Sequence, residues 1–331
     1  MSKISEINSY QRASEVLNLV GADEPIAVNA NNFVSLIGDY HLTDSEPPLQ
    51  CCCEKKLKKL CGQNHRNGYV VELKGNAKSL LGSTCVNDFD PEGELKKSVS
   101  HYDNKKRYLE RVSYINHCFY DKQKILNSLS KESDRLGEVN EFISSLMRSL
   151  PSRVLSTLQG MAKTERIAVT VDVRKVVEGK NKETGEIERD VDVFTHTVGH
   201  AYGVSLFSHD YRFKLMSDLR RKIDLLNDLE YFKHDTGPRV VSRIHKELLE
   251  IEVICDQARA FCSEQVVFEN SDRKYFIYLT SDRKERINLY RMWYLGKFSE
   301  PISISKAERE ISLSDSEIIN KFGATNLIID A

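Results

Sequence analysis

Six side chains able to bind a metal ion fall between positions 51 and 85: Cys51, Cys52, Cys53, Cys61, His65 and Cys85, with Gly62 and Gly82 beside them. Thiolate sulfur and imidazole nitrogen are the ligands that zinc takes, four at a time and tetrahedrally. Cys61-Gly62 has the form of a zinc knuckle, because glycine lets the chain turn back and aim backbone N–H groups at the sulfur. Gly82-Ser83-Thr84-Cys85 delivers a further thiol downstream. The expected ligand set is Cys53, Cys61, His65 and Cys85, with Cys51 the main competitor for a place in it. Four protein ligands leave no open position for water or substrate, so the expected role is structural. A bound Zn2+ would supply roughly 10 kcal/mol to a module too small to fold alone.

The elements that must position these residues are short. Tyr69 to Leu73 and Ala77 to Leu81 read as two strands, and the intervening Gly75-Asn76 is a good tight-turn dipeptide. Knuckle, hairpin and a ligand after the hairpin resemble a treble-clef or zinc-ribbon module over residues 49–91. The departure from that pattern is the absence of a second thiol after Cys85, where Asp88 and Asp90 stand instead. The module is also similar to small Cys/His units in uncharacterised proteins of bacteria and their mobile elements.

Upstream, Ile4, Ile7, Tyr10, Ala13, Leu17 and Val20 recur at helical spacing until Gly21, and the stretch from Phe33 to Leu42 reads as extended. Downstream, neither glycine nor proline occurs from Glu94 to Leu136. Tyr108, Val112, Ile115, Phe119, Leu126 and Leu129 there form a heptad-like seam, with Gly137 and Pro151 punctuating two further helices. Ile167 to Val173 and Val191 to Thr195 alternate as strands do, which predicts a long hairpin with a charged tip. Val241, Ile244, Leu248, Ile251, Cys255, Ala258 and Cys262 step by three and four, so Cys255 and Cys262 read as small core residues. With Leu215, Leu219, Ile223, Leu226 and Leu229 before the Gly237-Pro238 break, they predict an antiparallel helical hairpin. Ser314 to Glu317 reads as a capping box for a short last helix.

The formal charge of −1 over 331 residues conceals segregation. From Gln50 to Val112 there are 13 Lys or Arg against 8 Asp or Glu, and from Ser271 to Phe298 there are 7 against 3. The first window carries Lys55, Lys56, Lys58, Lys59 and Arg66. The second carries Arg273, Lys274, Arg283, Lys284, Arg286 and Arg291 interleaved with aromatics that include Trp293, around an expected strand from Tyr275 to Leu279. Cations that meet phosphates beside rings that stack on bases suit nucleic acid.

No GxxxxGK[ST], GxGxxG or GxSxG signature occurs. Glu178-Gly-Lys180, Asp272-Arg-Lys274 and Asp282-Arg-Lys284 have the acidic-x-Lys spacing of metal-dependent nucleases, a short and common pattern. No apolar run of about 18 residues exists, so no membrane span is expected. The N-terminus lacks a secretory pattern, which predicts a cytoplasmic location with reduced thiols.

The expected fold class is α+β and predominantly helical, with a zinc-bound hairpin module, long helices with heptad-like seams, and a β-hairpin in the C-terminal half. The expected segments are 1–48, 49–91, 92–165, 166–300 and 301–331. The expected function is that of a non-enzymatic, zinc-stabilised nucleic-acid-binding protein. The alternatives are a scaffold that oligomerises or docks a protein through its helical seams, and a metal-dependent nuclease.

Overall fold

In a computed structural model, the described residues are 8–21, 26–55, 58–89, 94–180, 187–233 and 235–329. Lys56, Ile4, Ile7 and the tip of the long hairpin lie outside them. The fold is α+β and predominantly helical. The chain divides into two compact units, Met1–His117 with Phe232–His245, and Cys118–Tyr231 with Lys246–Ala331.

The first unit is built on a four-stranded sheet in the order β1-β2-β5-β6, from β1 (Asn8–Tyr10), β2 (Phe33–His41), β5 (Asn67–Leu73) and β6 (Lys78–Gly82). A two-stranded ribbon, β3 (Leu49–Gln50) with β4 (Asn64–His65), stands beside it. The β5–β6 turn takes positive φ at Gly75 (80°) and Asn76 (62°), as that dipeptide predicts. The expected first helix is shorter than its apolar pattern. Asn8–Tyr10 pairs in parallel with β2, and α1 begins only at Ala13 and ends at Val20 before Gly21. Strand pairing there takes up backbone groups that local periodicity cannot see.

Tyr40, Val70, Val71, Leu73, Leu81, Ala13 and Val16 fill the core, and Cys51, Cys52, Cys53 and Cys85 are buried within it. On the long helix α3 (Glu94–Tyr120), Lys106 pairs with the Asp39 carboxylate of β2, and the Tyr102 hydroxyl donates to Asn8 O at 3.1 Å. Asp39 is buried, which pushes its carboxyl up, but hydrogen bonds and charge from Lys106 outweigh this and hold it below its ordinary value.

The second unit is a helical bundle that carries a β-arm. On α4 (Lys122–Ser149) the buried residues Leu129, Glu132, Leu136, Val139 and Ile143 step by three and four. Gly137 does not end this helix as expected, because the stripe on either side of it is anchored by packing, which outweighs the roughly 1 kcal/mol cost of a helical glycine. Pro151 does stand at the start of the next helix, α5 (Ser152–Lys163). Helix α6 (His209–Asn227) runs antiparallel to α7 (Pro238–Asn270). Tyr211 meets Phe261, while fully buried Lys222 reaches Glu247 and Glu250 at 2.6 and 2.8 Å. Cys255 is buried on α7, as its heptad place predicts.

The hairpin of β7 (Ala168–Lys180) and β8 (Ile187–His200) is as long as its alternation implies, and β9 (Asn326–Ile328) pairs on the other edge of β7. Val169, Val171 and Val173 face inward.

Two local expectations fail here. Arg273–Tyr278 is a 3-10 helix, not a strand, and is followed by α8 (Arg283–Phe298). The repeated Ser-Asp-Arg-Lys is a repeated helix start, because Asp272 accepts from Lys274 N–H and Asp282 accepts from Glu285 N–H. The last helix, α9 (Ile304–Phe322), begins ten residues ahead of the expected capping box. Ser303 caps it by accepting from Lys306 N–H, and Ala307 and Ile311 dock its first turns, so Ser314 lies mid-helix.

Candidate metal centre

The ribbon and the sheet deliver three sulfurs to one point. Cys51 directly follows β3, and Cys61 stands just ahead of β4. The Cys51 N–H donates to Gln63 O at 2.9 Å, and the Gly62 N–H donates to Cys51 O at 3.0 Å. Gly62 has φ 62°, the left-handed turn a knuckle requires. Cys85 arrives from the first turn of α2 (Ser83–Phe89), directly after β6.

The three Sγ atoms lie within 4.8 Å of one another, and Cys61 and Cys85 are 3.4 Å apart. Tetrahedral zinc with bonds of about 2.3 Å holds its sulfurs roughly 3.8 Å apart. Three thiols at this spacing could therefore hold a metal ion without a change of fold. Cys51 and Cys85 are buried and Cys61 is partly exposed.

Backbone donors single out one sulfur. The N–H groups of Gly82 and Cys53 donate to Cys51 Sγ at 3.3 and 3.5 Å. The Cys53 thiol, the neighbouring His65 ring and these two N–H groups pull Cys51 down to about 3, against its burial. Burial, the Cys61 and Cys51 side chains and the negative charge near them push Cys85 up to about 12. Cys53 is pushed up by its hydrogen bond to Cys51 and by burial. A cluster that joins one easy thiolate, Cys51, to a reluctant one, Cys85, is what a divalent cation, by its own charge, could convert into a ligand set.

Of the expected ligands, the structure brings Cys61 and Cys85 together with Cys51 and leaves Cys53 and His65 outside that trio. Cys53 lies beside the trio and not in it: its backbone bridges Val28, and its thiol, hydrogen-bonded to Cys51, lies 3.7 Å from Glu54 O. His65 has an arrangement that sequence reasoning missed. Its Nδ1 is 2.7 Å from the Tyr40 hydroxyl, and its Nε2 is buried without a hydrogen-bond partner.

Two glycines paired across β5 and β6 make room for this Tyr40–His65 pair. A Cβ on Gly68 would come 2.5 Å from the Tyr40 hydroxyl, and one on Gly82 would come 2.8 Å from the His65 ring. Tyr40, Gly68 and Gly82 thus position the imidazole. Burial holds the Tyr40 phenol protonated. Only Gly82 lay near enough to a cysteine to be noticed in sequence.

The basic candidates separate by what already occupies them. Lys58 and Lys59 are exposed on the loop between Cys53 and Cys61, with Lys55 at its other side. Its base is closed by the Glu54–Leu60 bridge and by Cys61 N–H donating to Cys53 O at 2.8 Å. Arg66 is committed to the carbonyls of Thr43 and Glu46. In the second window, Arg286 donates to Ile277 O and pairs with Asp315, Arg291 donates to Ile302 O, and Arg283 pairs with Glu308. Lys274 lies over Tyr275 beside Asp272, and Lys284 is exposed. Trp293 packs among Tyr290, Tyr294 and Phe298, and Arg273 lies over Phe268.

Glu178 pairs with Arg189 across the β-arm, so the three acidic-x-Lys carboxylates serve as one ion-pair partner and two helix caps. No helix among the described residues is long and apolar enough to cross a membrane. Comparison of the chain with protein-family models, with curated proteins and with solved structures finds no match to any of them.

Proposed function

We propose that this is a zinc-stabilised, non-enzymatic nucleic-acid-binding protein. Its contact with phosphate is the loop bearing Lys55, Lys56, Lys58 and Lys59. The observation that carries the reading is adjacency: the loop springs from between Cys53 and Cys61, so one ion at Cys51, Cys61 and Cys85 would fix the base of a lysine-rich finger.

The fourth ligand in this reading is His65 Nε2. In the Nδ1–H tautomer that this reading requires, Nδ1–H donates a hydrogen bond to the Tyr40 hydroxyl and the Nε2 lone pair is left free for the metal, the outer-shell pattern of histidine ligands. The order of knuckle, hairpin and helix-borne Cys85 supports the treble-clef likeness. Softness of the donors favours zinc over magnesium or calcium.

Two measurements test this. Metal analysis of purified protein is expected to find about one zinc per chain, and its absence would sink the zinc reading. Fluorescence anisotropy of labelled single- and double-stranded DNA and RNA is expected to show affinity falling with salt. Replacing Lys55, Lys56, Lys58 and Lys59 with alanine should flatten that slope. No detectable binding by the metal-loaded protein at low salt overturns the nucleic-acid reading and leaves the zinc reading standing.

Involvement of the second basic window rests on less, since Arg286 and Arg291 are spent inside the fold. A scaffold role is the second reading, favoured by exposed Leu249 and Val253, one turn apart on the solvent side of α7. Anisotropy of the lysine-free variant against wild type separates the two.

A further inference from the structure

A cavity of about 80 Å3 opens in the second unit between the C-terminal end of α4, α7, the 3-10 helix 273–278 and α8. Leu150, Phe268, Phe276, Leu289 and Trp293 are among its walls, and Arg273 is the sole ionisable residue lining it. Arg273 Nε is buried without a hydrogen-bond partner, and its guanidinium carbon lies 5.4 Å from the centre of the Phe268 ring. Beside it, α8 carries Gly296. A Cβ there would meet nothing nearer than Arg273 Nη2, at 3.6 Å, so this side of the cation borders open space.

A guanidinium presents five N–H donors in a fixed fork and is never discharged at ordinary pH. Burying one of those donors unmatched costs free energy that a suitable acceptor would recover. Apart from the guanidinium, the indole N–H of Trp293 is the sole polar side-chain group in the lining. Such walls offer donors but no side-chain oxygen or nitrogen acceptor, so they cannot match the mixed donor and acceptor edge of a nucleobase. They suit a hydrocarbon body with one anionic group, and a carboxylate matches the planar fork best. The volume is small beside the engineered cavity of about 150 Å3 that holds benzene, but the mouth is open, so a single ring or short chain can enter in part.

We propose that this cavity binds a small apolar or aromatic carboxylate, with the carboxylate on Arg273 and the hydrocarbon against Phe276, Leu289 and Trp293. The inference stands apart from the zinc and nucleic-acid readings, which concern the other unit's residues.

Trp293 is the only tryptophan in the chain, so its emission reports on this cavity directly. Titration of the metal-loaded full chain with phenylacetate should give a saturable change in emission, matched by heat in calorimetry. Phenylacetamide, which keeps the shape without the charge, should bind at least tenfold more weakly. Arg273→Gln should lose a similar factor, and Gly296→Leu, which fills the mouth while keeping the cation, should block both probes. Thermal melting checks that the variants fold. The proposal is overturned if phenylacetate does not bind by either readout up to roughly 10 mM, if the amide binds equally well, or if both folded variants bind as wild type does. It is also overturned if oligothymidylate perturbs Trp293 at lower concentration than phenylacetate and phenylacetate does not compete.

Discussion

Both units bury cysteine, and they use it in opposite ways. In the first unit the sulfurs of Cys51, Cys61 and Cys85 face one another, and that of Cys51 collects two backbone N–H groups. In the second, Cys255 lies on the helical seam of α7, where burial pushes its thiol up and no sulfur partner is at hand. The same side chain is a polarisable anion in one setting and a small apolar filler in the other. The difference lies in what the neighbouring backbone donates. The start of α2 at Gly82 and the extended run at Cys53 leave N–H groups free to point at the Cys51 sulfur, whereas a helix interior has already spent its N–H groups on carbonyls.

The bundle meets its polar burial differently, with a cation. Lys222 is fully buried but donates to Glu247 O, Glu247 Oε2 and Glu250 Oε2, so all three ammonium protons are matched. Its carboxylate partners are partly exposed, and Lys222 draws Glu250 below its ordinary value. The first unit thus gathers thiols that could hold an added ion, and the second carries its own counter-charges.

Metal removal should break this contrast most strongly. Chelation, or Cys61→Ser, is expected to remove on the order of 10 kcal/mol of folding free energy from the first unit, read as loss of amide-exchange protection there while α4, α6 and α7 keep theirs. Equal loss in both units would show that the two share one cooperative core.

Next in size is Lys222→Ala, expected to cost about 3 kcal/mol by denaturant unfolding. Lys222→Met, which refills the volume without a charge, should fall within about 1 kcal/mol of wild type. If both cost the same, the ammonium itself is not what matters.

Gly82→Ala should then drive a methyl into the His65 ring and weaken zinc binding roughly 10- to 100-fold, as loss of an outer-shell support does. Competition with a chromogenic chelator measures it, and an unchanged affinity would remove His65 from the ligand set.

Cys255→Ala should cost only about 1 kcal/mol with metal content unaltered. A change in bound metal would refute its assignment as packing.

The smallest effect is in pH dependence. Asp39 is held below its ordinary value in the folded chain, so its pairing with Lys106 contributes stability that is fully present above the unfolded pKa of about 3.9 and is lost as pH falls through the folded one. Asp39→Asn should therefore flatten the acid limb of the first unit's stability profile. An unaltered limb in pH-resolved melting would show that other carboxylates govern it.

The elements whose stabilising contacts lie close in sequence were legible from it. The β5–β6 hairpin follows from Gly75-Asn76, the α7 seam from its three-and-four spacing, and the β7–β8 arm from its alternation. Elements decided by distant partners were not. Asn8–Tyr10 is a strand because β2 lies beside it, Gly137 stays helical because Leu136 and Val139 are held by packing, and Ser314 is mid-helix because Ala307 and Ile311 dock first. Tyr275 to Leu279 looked like a strand by composition, but two aspartate caps start helical turns on either side of it.

For the candidate site, residue types and their clustering were enough to mark the window from Cys51 to Cys85, where three thiols do come together at a spacing that could hold a metal ion. Which sulfurs converge was left to the tertiary structure. In an extended run Cys51 and Cys53 share one side and Cys52 takes the other, so alternation sets Cys52 apart. Which of Cys51 and Cys53 reaches Cys61 and Cys85 depends on the pairing of β3 with β4 and on the turn of α2. The same holds for His65, whose placement depends on Tyr40 and on glycines at 68 and 82, and for the Arg273 cavity, assembled from four segments. Chemistry is carried by the side chain and is visible in one dimension; convergence is a property of strand register and helix packing, which only the folded chain possesses.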